Sequence, residues 1–201
     1  IVREAQNARL RAGTLGEKDK SLDHGTMVPL YFVDKEYRDY KLVRLSISGL
    51  PLSDHYEFGK CIRKAIDKTG RKAVYIASGD LSHKLKDDGP YGFSPDGPEF
   101  DRQVTKAMAE ADFIKFLTFS EGFLESAAEC GLRSFVIMAG AMDKEEAIPD
   151  FMSYEGPFGV GYALCSFLPG KTDISRDFGR QAREAETEKI KSARENEDPY
   201  I

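Results

Sequence analysis

Tryptophan is absent from this chain, and its 201 residues include only three histidines and three cysteines. The cysteines (Cys61, Cys130 and Cys165) are far apart, odd in number and free of any CxxC pair. That excludes a disulfide framework and a structural zinc site, and a reduced, cytoplasmic setting is expected. No apolar run approaches the roughly 18 residues of a membrane span, and no signal-peptide pattern is present, so a membrane partner is not expected. Positive charge is not in excess either: Lys+Arg 29 against Asp+Glu 34 gives a net charge of -5. A nucleic-acid partner, which calls for clustered basic residues, is disfavoured. The glycine patterns GxGxxG, P-loop and GxSxG are missing, and with them the usual phosphate cradles and the nucleophile elbow of hydrolases. What remains is one domain with a tail, long enough to bury on the order of 70% of its unfolded surface without staples.

The order of elements is legible in outline. "IVREAQNARLRAG" reads as the end of a helix, with Gly13 as its stop. A domain rarely opens there, and a stretch cut away upstream is expected. "KLVRLSISGLP" (41–51) alternates apolar and polar residues, as a strand does. "SDHYEFGKCIRKAIDKTG" (53–70) carries Phe58, Cys61, Ile62, Ala65 and Ile66 at helical spacing, with Ser53 as N-cap and Gly70 as stop. Residues 73–78 form a second short apolar strand. Strand, helix, strand is a βαβ unit, which predicts a parallel sheet. Helices are predicted over 97–112, 120–130 and 132–142, and a central strand over 156–167 whose glycines admit another backbone. The Gly-, Pro- and Asp-rich loop 84–98 is long enough to suggest a function. Residues 175–196 read as an exposed charged helix or a linker.

The candidate chemistry gathers where the second strand ends. "ASGDLSH" (77–83) places Gly79, Asp80, Ser82 and His83 at a strand tip, where ligands of open α/β sheets collect. His24, in "LDHGTMVPLYF", likewise sits beside an Asp and a Gly, with Pro29 expected in a first helical turn. A plain turn cap is the alternative for either histidine. His55, in the first turn of an amphipathic helix, reads as structural. Glu121, Glu125 and Glu129 share a stripe at spacing four. A solvated acidic face is one reading, with Glu129 paired to Arg133. The other starts from the expected position of Glu129 in a last helical turn, where the dipole disfavours a carboxylate and a cation or a metal would compensate. Two histidines and a carboxylate are the ingredients of a non-haem Fe(II) facial triad.

Taken in order, "LDHGTMVPLYF", "ASGDLSH", "AAECGLRSFVIMAGAMD" and "GPFGVGYA" resemble the class III extradiol ring-cleavage dioxygenase family of the LigB type. The likeness is to its Memo-like branch, often fused to an AMMECR-type domain. The resemblance covers roughly residues 13–168. It implies an α/β fold with a mixed, mostly parallel central sheet flanked by helices. A LigB-like domain over 1–170, lacking its N-terminal part, would precede a charged helix or linker over 171–201. The seven residues "ENEDPYI" are similar to the start of an AMMECR-type domain. The implied activity is cleavage of a catecholic aromatic diol with O2, using Fe(II) or another divalent metal. The alternative is a Memo-like metal-binding or scaffold module without turnover. By the resemblance His24 and His83 are acid/base groups, Asp80 and Ser82 bind or orient the substrate, and Glu129 is a metal ligand, with Cys130 as the alternative. Two further histidine ligands would lie upstream of Ile1. A homo-oligomer and a C-terminal AMMECR-type domain are the implied protein partners.

Overall fold

Glycine and aromatic residues set the centre of the molecule. In this computed structural model, which describes residues 1–14 and 21–197, helices α3 (Leu52–Thr69) and α7 (Leu132–Ala141) cross in close contact. Gly59 and Gly140 make the crossing possible: a Cβ on the first would overlap the Ile137 carbonyl, and one on the second the Tyr56 carbonyl. Around them α1 (Val2–Asn7), α2 (His24–Glu36), α4 (Asp96–Glu110), α5 (Phe113–Phe116), α6 (Glu121–Ala127) and α8 (Phe178–Glu197) complete the α-helices among the described residues. Tyr56, Phe100, Phe113, Phe116, Leu132 and Val136 form the buried core. Polar cross-links hold α3 to the segment just past the end of α7. Tyr56 Oη donates to Asp143 at 2.7 Å, and Arg63 forks onto both oxygens of Glu145 at 2.6 Å.

The sheet differs from the expected one. Among the described residues it has two antiparallel strands, β1 (Glu145–Glu155) and β2 (Tyr162–Thr172), paired from Glu145↔Thr172 to Glu155↔Tyr162 with two bulges. The fold is mixed α/β, and the βαβ reading is corrected in its strands. Helix α3 is present, but residues 41–48 and 71–80 carry no regular secondary structure. An alternating pattern becomes a strand only when a neighbour takes its N–H and C=O groups. No backbone-to-backbone bond among the described residues reaches 41–47 or 71–79. Several of their apolar side chains stand in solvent, Val43 at 64% and Val74 at 89% exposure, while Leu45, Tyr75 and Ala77 are half-buried.

Smaller corrections concern helix ends. Helix α1 stops at a left-handed Arg9, whose N–H bonds the Gln6 carbonyl, well before Gly13. Pro51, not Ser53, is the N-cap of α3, while Gly70 is its left-handed stop as expected. Pro29 falls in the second turn of α2, past the first. The strand expected over 156–167 begins at Tyr162, and β1 was not anticipated. Of residues 175–196, those from Phe178 on form α8, after a 3-10 turn over Ile174–Arg176, whereas the tail resembling an AMMECR-type domain runs into 198–201, outside the described residues. None of the helices is long and apolar enough to cross a membrane, among the described residues.

Candidate functional site

The tip segment 80–85 is fixed from two sides. On one side it lies along the glycine-rich run before β2: Leu81 N–H donates to the Gly161 carbonyl at 2.9 Å, Gly161 N–H to the Ser82 carbonyl at 2.8 Å, and Leu85 N–H to the Gly159 carbonyl at 3.1 Å. This is the close backbone approach that the glycines of 156–161 led us to expect. On the other side Gly79 abuts Gly131 at the start of α7: a Cβ on Gly79 would overlap the Gly131 backbone, and one on Gly131 the Asp80 carbonyl and the Phe135 ring. Cys130 N–H donates to the Asp80 carbonyl at 3.4 Å, and the Cys130 thiol accepts from Asp80 N–H at 3.2 Å.

His83 is held at both ring nitrogens. Nδ1 meets the Ala128 carbonyl, and Nε2 lies 3.2 Å from Asp80 Oδ2. The Ala128 carbonyl is available because Ala128 takes a left-handed conformation and ends α6 early. Asp80, His83 and Cys130 consequently offer a carboxylate oxygen, an imidazole nitrogen and a sulfur within 4.8 Å of one another, a set that could hold a metal ion. The group is reachable from solvent, with the Asp80 side chain 36% and that of His83 17% exposed. Burial pushes the Cys130 thiol up, although the N–H of Asp80 partly offsets this.

Ser82 is fully buried. Its Oγ donates to the Ala127 carbonyl at 2.8 Å and accepts from Lys84 N–H at 2.9 Å, which places it as an orienting group for the tip. Beneath it lies Asp101, 1% exposed, whose carboxylate accepts from Ser82 N–H at 2.8 Å and from Tyr154 Oη at 2.7 Å. Sequence reasoning missed Asp101, because a lone Asp inside a helix carries no local mark. Burial raises its carboxyl above the ordinary value, and the two hydrogen bonds only partly counter it. Together Asp101 and Ser82 clamp the backbone that carries Asp80 and His83.

Glu129 stands elsewhere than expected. Since α6 ends at Ala127, Glu129 lies outside that helix, in the turn before α7. Its Oε2 accepts from Leu132 N–H at 2.7 Å, so the carboxylate caps the positive end of α7, and the dipole argument reverses sign. Its side chain is 4% exposed, with Arg133 Nη1 4.0 Å away, and burial raises its carboxyl. It does not belong to the three-residue donor group.

His24 is the exposed first residue of α2, behind the N-cap Asp23, whose Oδ1 accepts from Thr26 N–H at 2.8 Å. That bond holds the Asp23 carboxyl below its ordinary value. A cavity of about 370 Å³ joins this helix start to the tip, lined by Asp23, Gly25, Ser78, Cys130 and Ser134 among others. The two motifs and Cys130 share that cavity, while neither imidazole nor Glu129 is among its lining residues. His55 is buried, its Nδ1 3.0 Å from the Pro51 carbonyl and its Nε2 3.3 Å from Ser48 N, the structural role expected of it.

Comparison with known proteins gives a consistent set. The family model described as the catalytic LigB subunit of aromatic ring-opening dioxygenase matches residues 1–165. "Protein CA_C1420" of Clostridium acetobutylicum is 35% identical over 180 residues, covering 90% of this chain and 38% of that protein. The 3,4-dihydroxyphenylacetate 2,3-dioxygenase of Escherichia coli is 31% identical over 124 residues, 58% of this chain and 45% of that enzyme. The MEMO1 family protein PAE0818 of Pyrobaculum aerophilum is 36% identical over 63 residues, 31% of this chain and 22% of that protein. The chain thus spans less than half the length of each of these relatives.

Proposed function

This chain belongs to the LigB family, and from that membership we propose that it is a dioxygenase-type domain acting on a catecholic aromatic diol with a non-haem divalent metal, Fe(II) in the first instance. The observation that carries the reading is the meeting of Asp80, His83 and Cys130 within 4.8 Å at the tip between the family motifs. The donor set fits such an ion: one oxygen, one nitrogen and one soft sulfur suit iron or zinc better than magnesium or calcium. The second ring nitrogen of His83 faces a backbone carbonyl, the usual orienting partner of a metal-ligating imidazole. Asp80, His83 and Cys130 would hold the ion, with Cys130 taking the ligand place that the resemblance also offered to Glu129. When bound, the iron supplies the dioxygen and ring-opening chemistry.

The chain's own groups do the rest. His24, exposed at the start of α2, accepts a proton from a substrate hydroxyl and returns it, help worth about 10²–10⁴-fold. His83, with Nδ1 on the Ala128 carbonyl, has only Nε2 left for a ligand bond, so as a metal ligand it leaves the acid/base role to His24. Ser82 and Asp101 keep the tip in place. The mostly parallel sheet that the resemblance implies is part of the same proposal, although residues 41–48 and 71–80 carry no regular secondary structure here. The C-terminal AMMECR-type domain and a homo-oligomer remain part of it as partners.

A second reading, a Memo-like metal-binding module without turnover, is favoured by one observation: the group has a thiol where a facial triad would take a second histidine. One experiment addresses both. Fe(II) is titrated into the chain under nitrogen, and catechol and oxygen are then added with oxygen uptake recorded. One bound ion is expected, with affinity falling on the order of 10–100-fold or more in Cys130→Ala and Asp80→Ala and holding in Glu129→Ala. Equal affinity in all variants would sink the assignment of ligands. Metal binding without oxygen uptake would select the second reading.

A further inference from the structure

The loop 84–95, which ends where α4 begins at Asp96, has no part in the donor group, yet it is tied down along its length. Ser94 N–H donates to the Lys84 carbonyl at 3.1 Å, Leu85 and Phe93 form an isolated bridge, and Lys86 Nζ reaches the Pro157 carbonyl at 2.8 Å. Two consecutive turns, Gly89 N–H on the Lys86 carbonyl at 3.1 Å and Gly92 N–H on the Gly89 carbonyl at 3.3 Å, make up its crown. What this braced crown presents is Tyr91. Its ring meets the His83 ring edge-on, with centroids 5.0 Å apart and planes at 74°. Despite that contact Tyr91 is 60% exposed, so much of its surface is left for something else.

We infer that Tyr91 is a substrate-contacting residue, the aromatic wall against which a flat ring lies beside His83. This rests on the aromatic-diol reading above and extends it, because it says which residue distinguishes a ring from an open-chain or saturated diol. A loop already fixed in place holds that wall without an ordering cost when ligand arrives, which is how preorganised contacts gain affinity. Phenolic and catecholic rings favour offset or edge-to-face contact with Tyr, whereas a saturated ring has no such face.

The test is a binding measurement that needs no turnover. Catechol and 1,2-cyclohexanediol are titrated under nitrogen into the chain by NMR, with Zn(II) as a redox-silent stand-in for iron. The proteins are the wild type, Tyr91→Ala, Tyr91→Phe and the distant control Tyr37→Ala, each checked for folding by circular dichroism. Tyr91→Ala is expected to weaken catechol binding roughly tenfold, Tyr91→Phe less than about twofold and Tyr37→Ala not at all, with cyclohexanediol indifferent to residue 91. Catechol bound equally by wild type and Tyr91→Ala would overturn the inference and leave the aromatic-diol reading standing. Equal losses in Tyr91→Ala and Tyr91→Phe would also overturn it, because the hydroxyl and not the ring would then be the contact. A wild type that binds no catechol would overturn the underlying reading and the inference with it.

Discussion

Helices α2 and α7 are built from much the same kinds of residue and have opposite fates. In α7, Leu132, Phe135, Val136 and Ile137 are all 6% exposed or less, pressed against α3 and the aromatic core. In α2, Met27, Val28, Tyr31 and Phe32 lie between 43% and 62% exposed, and no residue of the helix is buried. Both are helices because helix formation is decided locally, by caps and by backbone hydrogen bonds within the segment. Burial depends on what other segments bring. The cavity sits at the seam between these two regimes, with Asp23 and Gly25 of the bare side facing Cys130 and Ser134 of the packed side.

The sharpest way to break that comparison is to remove the same side chain on each side of the seam. Phe116, fully buried, touches Phe113 and Phe135; Phe32 is 61% exposed and pairs edge-on with Tyr31 alone among aromatic rings of the described residues. Phe116→Ala should cost about 3–5 kcal/mol through lost burial and a cavity, whereas Phe32→Ala should cost under about 0.5 kcal/mol. Urea unfolding of both variants checks this. A cost for Phe32→Ala approaching that of Phe116→Ala would mean that α2 is covered in solution.

A smaller effect separates two neighbouring members of the expected acidic stripe. Glu125 is exposed, while Glu129 caps α7 through Leu132 N–H. Glu129→Ala should lower stability by about 1 kcal/mol, as loss of a cap does, and Glu125→Ala by less than about 0.5 kcal/mol. Equal thermal midpoints in the two variants would return Glu129 to the solvated face.

The same residues mark how far the sequence could be read. Helical periodicity with a closing glycine located α3, and a run apolar nearly all round located α7, to within a few residues, because those signals are contained in the segment that obeys them. Alternation at 41–51 and the apolar run at 73–78 were equally clear, yet a strand needs a second strand, which no local pattern supplies. Glu129 was misplaced for a similar reason: α6 stops at Ala128, a left-handed residue with no glycine to announce it. Asp80, His83 and Cys130 could each be nominated from motifs. That one carboxylate, one imidazole and one thiol meet follows from the Gly79–Gly131 contact, which joins segments 50 residues apart in the chain.

The subtlest contrast lies inside the packed side, between Asp101 as an ion and as a neutral group. Its carboxyl is raised because burial penalises the charge more than Ser82 N–H and Tyr154 Oη reward it. A raised folded-state value means that the folded chain holds this proton more tightly than the unfolded chain does. The associated stability is therefore fully present below the unfolded value of about 4, and is lost as pH rises through the higher folded value. Asn keeps an oxygen for Ser82 N–H, and its amide can donate to the Tyr154 hydroxyl, but it does not titrate. Asp101→Asn should accordingly compare least well with wild type below pH of about 4 and gain on it as pH rises toward neutrality. Denaturation midpoints of the pair across that range test the sign. A gap that stays constant with pH would show that the two hydrogen bonds balance the cost of burying the charge. A gap moving the other way would show that they exceed it.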